Sequence, residues 1–456
     1  DLTQPTAAKR PSFKDYPYDT TFNFNPYLSF DGTDDILQNT SIIDLLNDDG
    51  LGMLVCARST TAATNNNTAF SFQADNTGKI AYQIMPESEM RYRNSSLTSA
   101  SFGVTGFTDP DNTFIMAKML SIVGNSSGTP DIAEFRRNDN AFVSSGSNAP
   151  VLETGFTIGG SGDGAGFNRS NNKIAEVITY NELLSPANLD KVETYVAIKY
   201  GIHLNKDYVS STGTTIWDYS ADPTYNHDIS GIGRDDGSGL NQKQTQSVNI
   251  DEMLTIGLDS IENSNKNNTA VFSADKSFLV WGNNDEYARS DYSTIIPTAA
   301  PFLPVGIQGR LRRVWKLQGT NFGTSGTFIK SANPIDNQQN GTMATTTIEV
   351  AFDDYLLLNS SPASNLRLLV DDDGVDFSNA IVKGPGKVRA DATASGSRIG
   401  FEGVDVGPGR NYVTLATTNI AATLLPIELI NFEVLCQNNM ATINWKTATE
   451  TKTKIY

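Results

Sequence analysis

From Asp1 to about Gly201, apolar positions come in short bursts separated by polar turns rich in Asn, Gly, Ser and Thr. The bursts stand at 28–30 (LSF), 51–57 (LGMLVCA), 69–73 (AFSFQ), 79–85 (KIAYQIM), 113–120 (TFIMAKML), 132–137 (IAEFRR) and 156–160 (FTIGG). Runs of this length and spacing predict the strands of a β-sandwich. The connectors 60–68 and 159–172 have the composition of exposed loops.

The period changes between Asn172 and Ile202. Ile174, Val177, Ile178 and Tyr180 predict one more strand, and a helix follows. Ser185 can accept a hydrogen bond from a free backbone N–H as N-cap. Pro186 suits the first helical position because its missing N–H has no partner there to lose. Leu189, Val192 and Val196 recur at helical spacing, and Gly201 supplies the left-handed stop. Asn188 stands where a capping box would carry Glu or Gln. The pattern places Asp190, Lys191 and Glu193 off the apolar stripe, toward solvent.

Beyond the helix, a second vocabulary of β-rich runs extends from about His203 to Ile420: TIWDY, MLTIGL, FLVWGNN, GRLRRVWKLQG, TTIEVAF, LRLLVDDDGVDFSNA and NYVTLAT. Arg312, Val314 and Lys316 alternate with Arg313, Trp315 and Leu317, with a charge on each side. This region reads as a second antiparallel β domain. From Leu424 the text changes again, and runs at 429–435 and 441–445 flank a Gln-Asn-Asn turn, a hairpin signal.

The length of 456 residues exceeds one core, so two or three domains are expected. With 34 Lys+Arg against 51 Asp+Glu, the net charge of −17 argues against nucleic acid or an anionic membrane surface as main partners. No apolar run reaches membrane-spanning length, so no direct membrane insertion is expected. Cys56 and Cys436 fall in separate predicted domains and are expected not to bridge.

Few residues combine into recognisable chemistry. Gly124-Asn125-Ser126-Ser127-Gly128 fits G-x-S-x-G, but Thr129-Pro130-Asp131 cannot open the helix a nucleophile elbow needs, so it reads as a loop. His203 and His227 are the two histidines, too few and too far from either cysteine for a zinc site, and there is no HExxH. His227 reads as a structural residue, with a Ser-His-Asp arrangement as its alternative. The glycines of Gly231-Ile232-Gly233-Arg234-Asp235-Asp236-Gly237 lack phosphate-cradle spacing and read as turn residues. The best ligand-like cluster is Asp371, Asp373 and Asp376, oxygen donors of the kind calcium takes from a flexible loop. It is not an EF-hand, and a solvated turn after the strand at 366–370 is the favoured reading, with the calcium site as its alternative. A second acidic cluster is Asp31, Asp34 and Asp35.

The sequence also carries a family resemblance. Tyr27-Leu28-Ser29-Phe30-Asp31-Gly32-Thr33-Asp34-Asp35, the FTIGG strand at Phe156 and the helix ending VETYVAIKYGI resemble the LamG/concanavalin-like jelly-roll module of large secreted Bacteroidetes proteins. The blocks after the helix resemble an uncharacterised domain that follows the jelly roll in such surface proteins. The terminal hairpin is similar to the opening of an immunoglobulin/fibronectin-like module that leads, in that family, to a type IX sorting domain. Asp19-Thr20-Thr21 and Asp259-Ser260-Ile261 match the short pattern O-glycosylated in exported proteins of that phylum, making Thr20 and Ser260 glycosylation candidates.

The resemblance implies an all-β chain of tandem β-sandwich domains. They are a jelly roll over 1–202 with its first strand missing, a second β-sandwich over 203–422 and a truncated module over 423–456. On that reading Asp1 is not a native N-terminus and the last module continues past Tyr456. The expected function is non-enzymatic: a segment of a secreted cell-surface protein, exported by the type IX secretion system and serving adhesion or gliding motility. Its expected partners are that secretion machinery, surface glycans and other cell-surface proteins. The alternative is the carbohydrate-binding region of a secreted glycan-degrading enzyme, and a hydrolase using His227 is the third option.

Overall fold

The computed structural model describes, with side chains, residues 2–15, 22–39, 155–160, 169–180, 182, 184–249, 253–272, 274–286, 302–321, 364–386, 399–404 and 412–419. It describes backbone alone for residue 363 and for the strands within 51–146, 295–296, 346–352, 387–389, 397–398 and 429–447. The chain is all-β, with antiparallel sheets and, among the described residues, one α-helix, α1 (Pro186–Tyr200).

Among the described residues, two sheets precede α1. The seven-stranded one runs Ser12–Lys14, Tyr27–Ser29, Lys173–Tyr180, Leu51–Ala57, Phe114–Val123, Ile132–Arg137, Val143–Gly146 in spatial order. The six-stranded one runs Leu37–Asn39, Gly155–Ile158, Phe70–Gln73, Ile80–Met85, Glu89–Arg93, Ser99–Phe102. The last strand before the helix is thus interior to its sheet, with Ile174 opposite both Leu28 and Cys56.

After α1 come a nine-stranded and a five-stranded sheet, packed face to face. Trp281, Trp315, Leu368 and Val413 project from the larger sheet onto Leu254, Ile256, Ile399 and Phe401 of the smaller. A separate hairpin pairs Leu429–Gln437 with Met440–Thr447. Among the described strands, no sheet joins one that precedes α1 to one that follows it. The side chains of Cys56 and Cys436 lie outside the described residues, as do Thr20 and residues 124–130.

Strand Ser277–Asn283 is buried at every position. Leu279 and Trp281 enter the core between the sheets, while Phe278 and Val280 face the helix, which explains an apolar run without alternation. In Trp315–Thr320 one face is wetter: Trp315 and Leu317 are buried and Lys316 and Gln318 half-buried. Arg313 is buried too, near Asp228 at 4.0 Å and Asp285 at 3.9 Å.

Two of the three glycines read as turn residues sit elsewhere. Gly231 and Gly233 lie inside the long strand His227–Asp235. A Cβ on Gly231 would stand 2.8 Å from Ile198 Cδ1, and one on Gly233 would stand 2.3 Å from the Phe278 ring. Close packing of helix and neighbouring strand, not a turn, demands them. Gly233→Ala is expected to cost about 1–3 kcal/mol through overpacking. A denaturation midpoint equal to the parent's would refute this reading.

Helix α1 begins and ends as its local sequence dictates. Ser185 Oγ accepts the Asn188 N–H at 3.4 Å, and Gly201 adopts φ 67°. A side chain at Gly201 would also meet Gln246 O at 2.3 Å. The buried face is wider than the predicted stripe. Val196, Ala197, Ile198 and Tyr200 are buried together with Thr194 and Glu193, whereas Leu189 and Val192 pack only partly against the same core. Glu193, expected in solvent, has no exposed surface because Lys206 reaches in to pair with both it and Asp190. Burial of a carboxylate is tolerable only with such a partner.

Candidate functional sites

The helix belongs to a core that both halves of the chain build. Phe22 and Tyr27 from the N-terminal region join Val196, Ile198 and Tyr200 of α1 and Tyr208, Trp217, Ile229, Leu240, Phe278 and Val280 beyond it. Polar groups reinforce the contact. Asn23 and Asn25 each donate through Nδ2 to the Lys199 carbonyl, at 3.1 and 2.8 Å, satisfying an acceptor the helix end leaves open. Asn23 Oδ1 accepts the Gln246 N–H at 2.9 Å, and Gln242 Nε2 donates to Asn23 O at 3.1 Å. The Asn265 N–H donates to Phe24 O at 3.0 Å. Asn23 and Phe24 hold φ of 52° and 64°, so the segment reverses sharply to insert.

On the other side of the helix, Glu176 of strand Lys173–Tyr180 accepts hydrogen bonds from Tyr195 OH (2.9 Å), Lys199 Nζ (3.0 Å) and Tyr200 OH (2.9 Å). Burial first, and then the Glu176 carboxylate, push the phenols of Tyr195 and Tyr200 far above their ordinary value; Tyr180 is raised by the same two causes. Tyr195 and Tyr200 therefore act as neutral donors.

Beside this strut opens a cleft of ≈ 560 Å³. Its walls are the end of the same strand (Glu176, Ile178, Tyr180), the start of α1 (Asn188, Lys191, Tyr195) and two turns of the second region (Ser211, Gly237, Ser238). The turns are locked together by buried Asp235, which accepts Ser211 N–H at 2.7 Å, Ser211 Oγ–H at 2.6 Å and Gly237 N–H at 3.1 Å. The volume suits a small ligand, and the lining mixes tyrosines with carboxylate, ammonium, amide and hydroxyl groups.

The acidic clusters resolve differently. Asp31 Oδ1 accepts the N–H groups of Thr33, Asp34 and Asp35 at 2.8, 3.2 and 3.4 Å, and Asp35 Oδ2 accepts Asp31 N–H at 3.0 Å. Those bonds are a turn holding itself. Burial, then Asp31, raises the Asp35 carboxyl. In the second cluster, carboxylate oxygens of Asp371, Asp372 and Asp373 lie within 4.8 Å of one another. Asp376 is not in that group; its Oδ1 accepts Ser378 N–H at 2.9 Å and caps the short helical turn Phe377–Asn379. Burial pushes the Asp371 carboxyl up to about 6.

His227 is exposed, with Nδ1 3.8 Å from Asp285 Oδ2, and His203 Nδ1 accepts Ile229 N–H at 3.3 Å. Ser260 is half-buried and donates to Glu262 Oε1 at 2.9 Å, while Ile261 beside it is buried. Sequence reasoning passed over Asn23, Asn25, Glu176 and Tyr195. The only local signal was asparagine's tolerance of left-handed backbone at Asn23.

Residues 188–397 match a family described as a domain of unknown function (DUF8202), a span that begins inside α1. No curated protein matches the chain. Among solved structures, the botulinum neurotoxin serotype D binding domain aligns at 9% identity over 91% of this chain and 94% of that chain, with TM-score 0.34. The receptor binding domain of the botulinum neurotoxin mosaic serotype C/D aligns at 11% identity over 90% of this chain and 91% of that chain, with TM-score 0.34. At scores this low, nothing about the function of this chain follows from them.

Proposed function

We propose that this chain is a non-enzymatic, load-bearing segment of a large secreted bacterial surface protein, exported by a type IX system and serving adhesion or gliding. Its modules are a LamG-like jelly roll over 1–202, a second sandwich over 203–422 and an immunoglobulin/fibronectin-like hairpin over 423–456. The observation that carries the reading is the shared core around α1, where Phe22 and Tyr27 pack with Trp217, Ile229 and Phe278. A segment that passes force along a surface fibre needs such a stiff joint, because the default between domains is relative motion. The net charge of −17 suits a solvated exterior surface. In the source bacterium, in-frame removal of residues 1–422 is expected to leave the parent protein exported while attachment or spreading is lost. Attachment and spreading equal to wild type would refute the proposal.

A second reading, favoured by the cleft beside Glu176, is saccharide binding. Sugar rings stack on aromatic faces and their hydroxyls pair with carboxylates and amides, and Tyr180, Glu176 and Asn188 offer those groups. Titration calorimetry against a panel of surface polysaccharides is the test. Under this reading one polysaccharide binds, and Tyr180→Ala weakens it about tenfold, equivalent to roughly 1.4 kcal/mol. A panel without a binder, or binding unchanged in Tyr180→Ala, rejects it.

A further inference from the structure

The loop that follows strand Leu366–Asp371 brings three carboxylates to one point at the edge of the second sandwich. Asp371 is 1% exposed, and its two oxygens have different fates. Oδ2 accepts the N–H groups of Asp373 (3.1 Å) and Gly374 (2.8 Å), but Oδ1 is buried without any hydrogen-bond partner. An ionised oxygen left so is costly. The donors around it leave it unanswered. Arg310 stacks 4.5 Å above the Phe377 ring and gives its Nη1 to Leu311 O at 2.8 Å. Asn379 Nδ2 reaches only Asp372, at 3.3 Å to each oxygen.

We infer that Asp371, Asp372 and Asp373 form a binding site for a hard divalent cation, with calcium as the ion that fits. Calcium–oxygen bonds of about 2.4 Å place ligands on opposite sides of the ion about 4.8 Å apart. The three carboxylate oxygens lie within that diameter. The loop is built for it: Gly374 takes φ 74°, and Asp373 Oδ1 is fixed by Val375 and Asp376 N–H groups at 2.7 and 2.9 Å. Waters complete the shell, since three side chains fall short of the six to eight oxygens calcium takes. The ion would fasten the loop to the buried patch of Phe377, Leu369 and Val314 on the outer face of the nine-stranded sheet. The inference is independent of the surface role proposed above.

The test uses the full chain stripped with chelator and titrated with calcium chloride. Calorimetry is expected to show a site with Kd of about 10⁻⁴–10⁻³ M, the weak end of the calcium range, because only three side chains supply ligands. Calcium at roughly ten times Kd should raise the melting temperature of the second sandwich by about 3–6 °C. Asp371→Asn and Asp372→Asn, which keep shape and lose charge, should each weaken binding at least tenfold, whereas Asp34→Asn should leave it unchanged. Loss of the response in Asp34→Asn but not in Asp371→Asn would move the site to the other acidic turn and overturn the inference. Absence of heat and of any melting shift at 10 mM calcium would also overturn it, in favour of a water shared by Asp371 Oδ1 and the equally unpartnered Arg310 Nε.

Discussion

Trp281→Ala is expected to lose about 3–5 kcal/mol of stability, the range for deleting a fully buried aromatic from a core that cannot collapse around the gap. Trp281 has no exposed surface and sits between the two sheets of the second sandwich among Leu254, Trp315 and Leu368. Its strand is hydrogen-bonded on both sides, to His227–Asp235 and to Trp315–Thr320, which limits how far the backbone can move inward. The indole Nε1 is buried without a partner, so Trp281→Phe removes a stranded donor along with some volume. It should cost markedly less than the alanine variant. Urea unfolding of both variants decides the matter: equal midpoints for the two would place the tryptophan's contribution outside its packing.

Much of the architecture was readable in the chain, because it rests on signals that act over a few residues. Ser185, Pro186 and Gly201 bound α1 as capping chemistry requires. The Phe278-Leu279-Val280-Trp281 run announced a strand, but that both its faces are covered came only from the fold, which packs α1 on one side and the smaller sheet on the other. What stayed hidden depends on partners distant in sequence. Gly231 and Gly233 looked like turn residues because the chain alone does not reveal Ile198 and Phe278 pressed against them. Glu193 looked solvated because only the fold brings Lys206 over it.

The candidate sites follow the same division. Four aspartates within 371–376 marked a ligand-like loop, but not how it turns. Spacing favoured Asp376, which the structure spends on capping Phe377–Asn379, and overlooked Asp372, whose carboxylate joins those of Asp371 and Asp373. The cleft beside Glu176 was invisible for a simpler reason. Its walls come from a strand, a helix and two turns that only tertiary packing assembles.

Phe22→Ala is expected to weaken the joint from its far side. Phe22 has no exposed surface; its ring lies 5.0 Å from that of Tyr27 and meets Tyr200 edge-on at 6.3 Å. Truncation should cost about 3–5 kcal/mol, against on the order of 1–3 for Val196→Ala in the helix itself. The location of the loss is more informative than its size. If the core around α1 binds the two sandwiches into one unit, a cavity at residue 22 must loosen elements that follow the helix. Hydrogen exchange then shows faster amides in α1 and in strand His227–Asp235 of Phe22→Ala, and Val196→Ala repeats the pattern more weakly. If instead only amides before residue 181 speed up, the helix and second sandwich stand alone. The network of Asn23 and Asn25 would then be a surface contact rather than a lock.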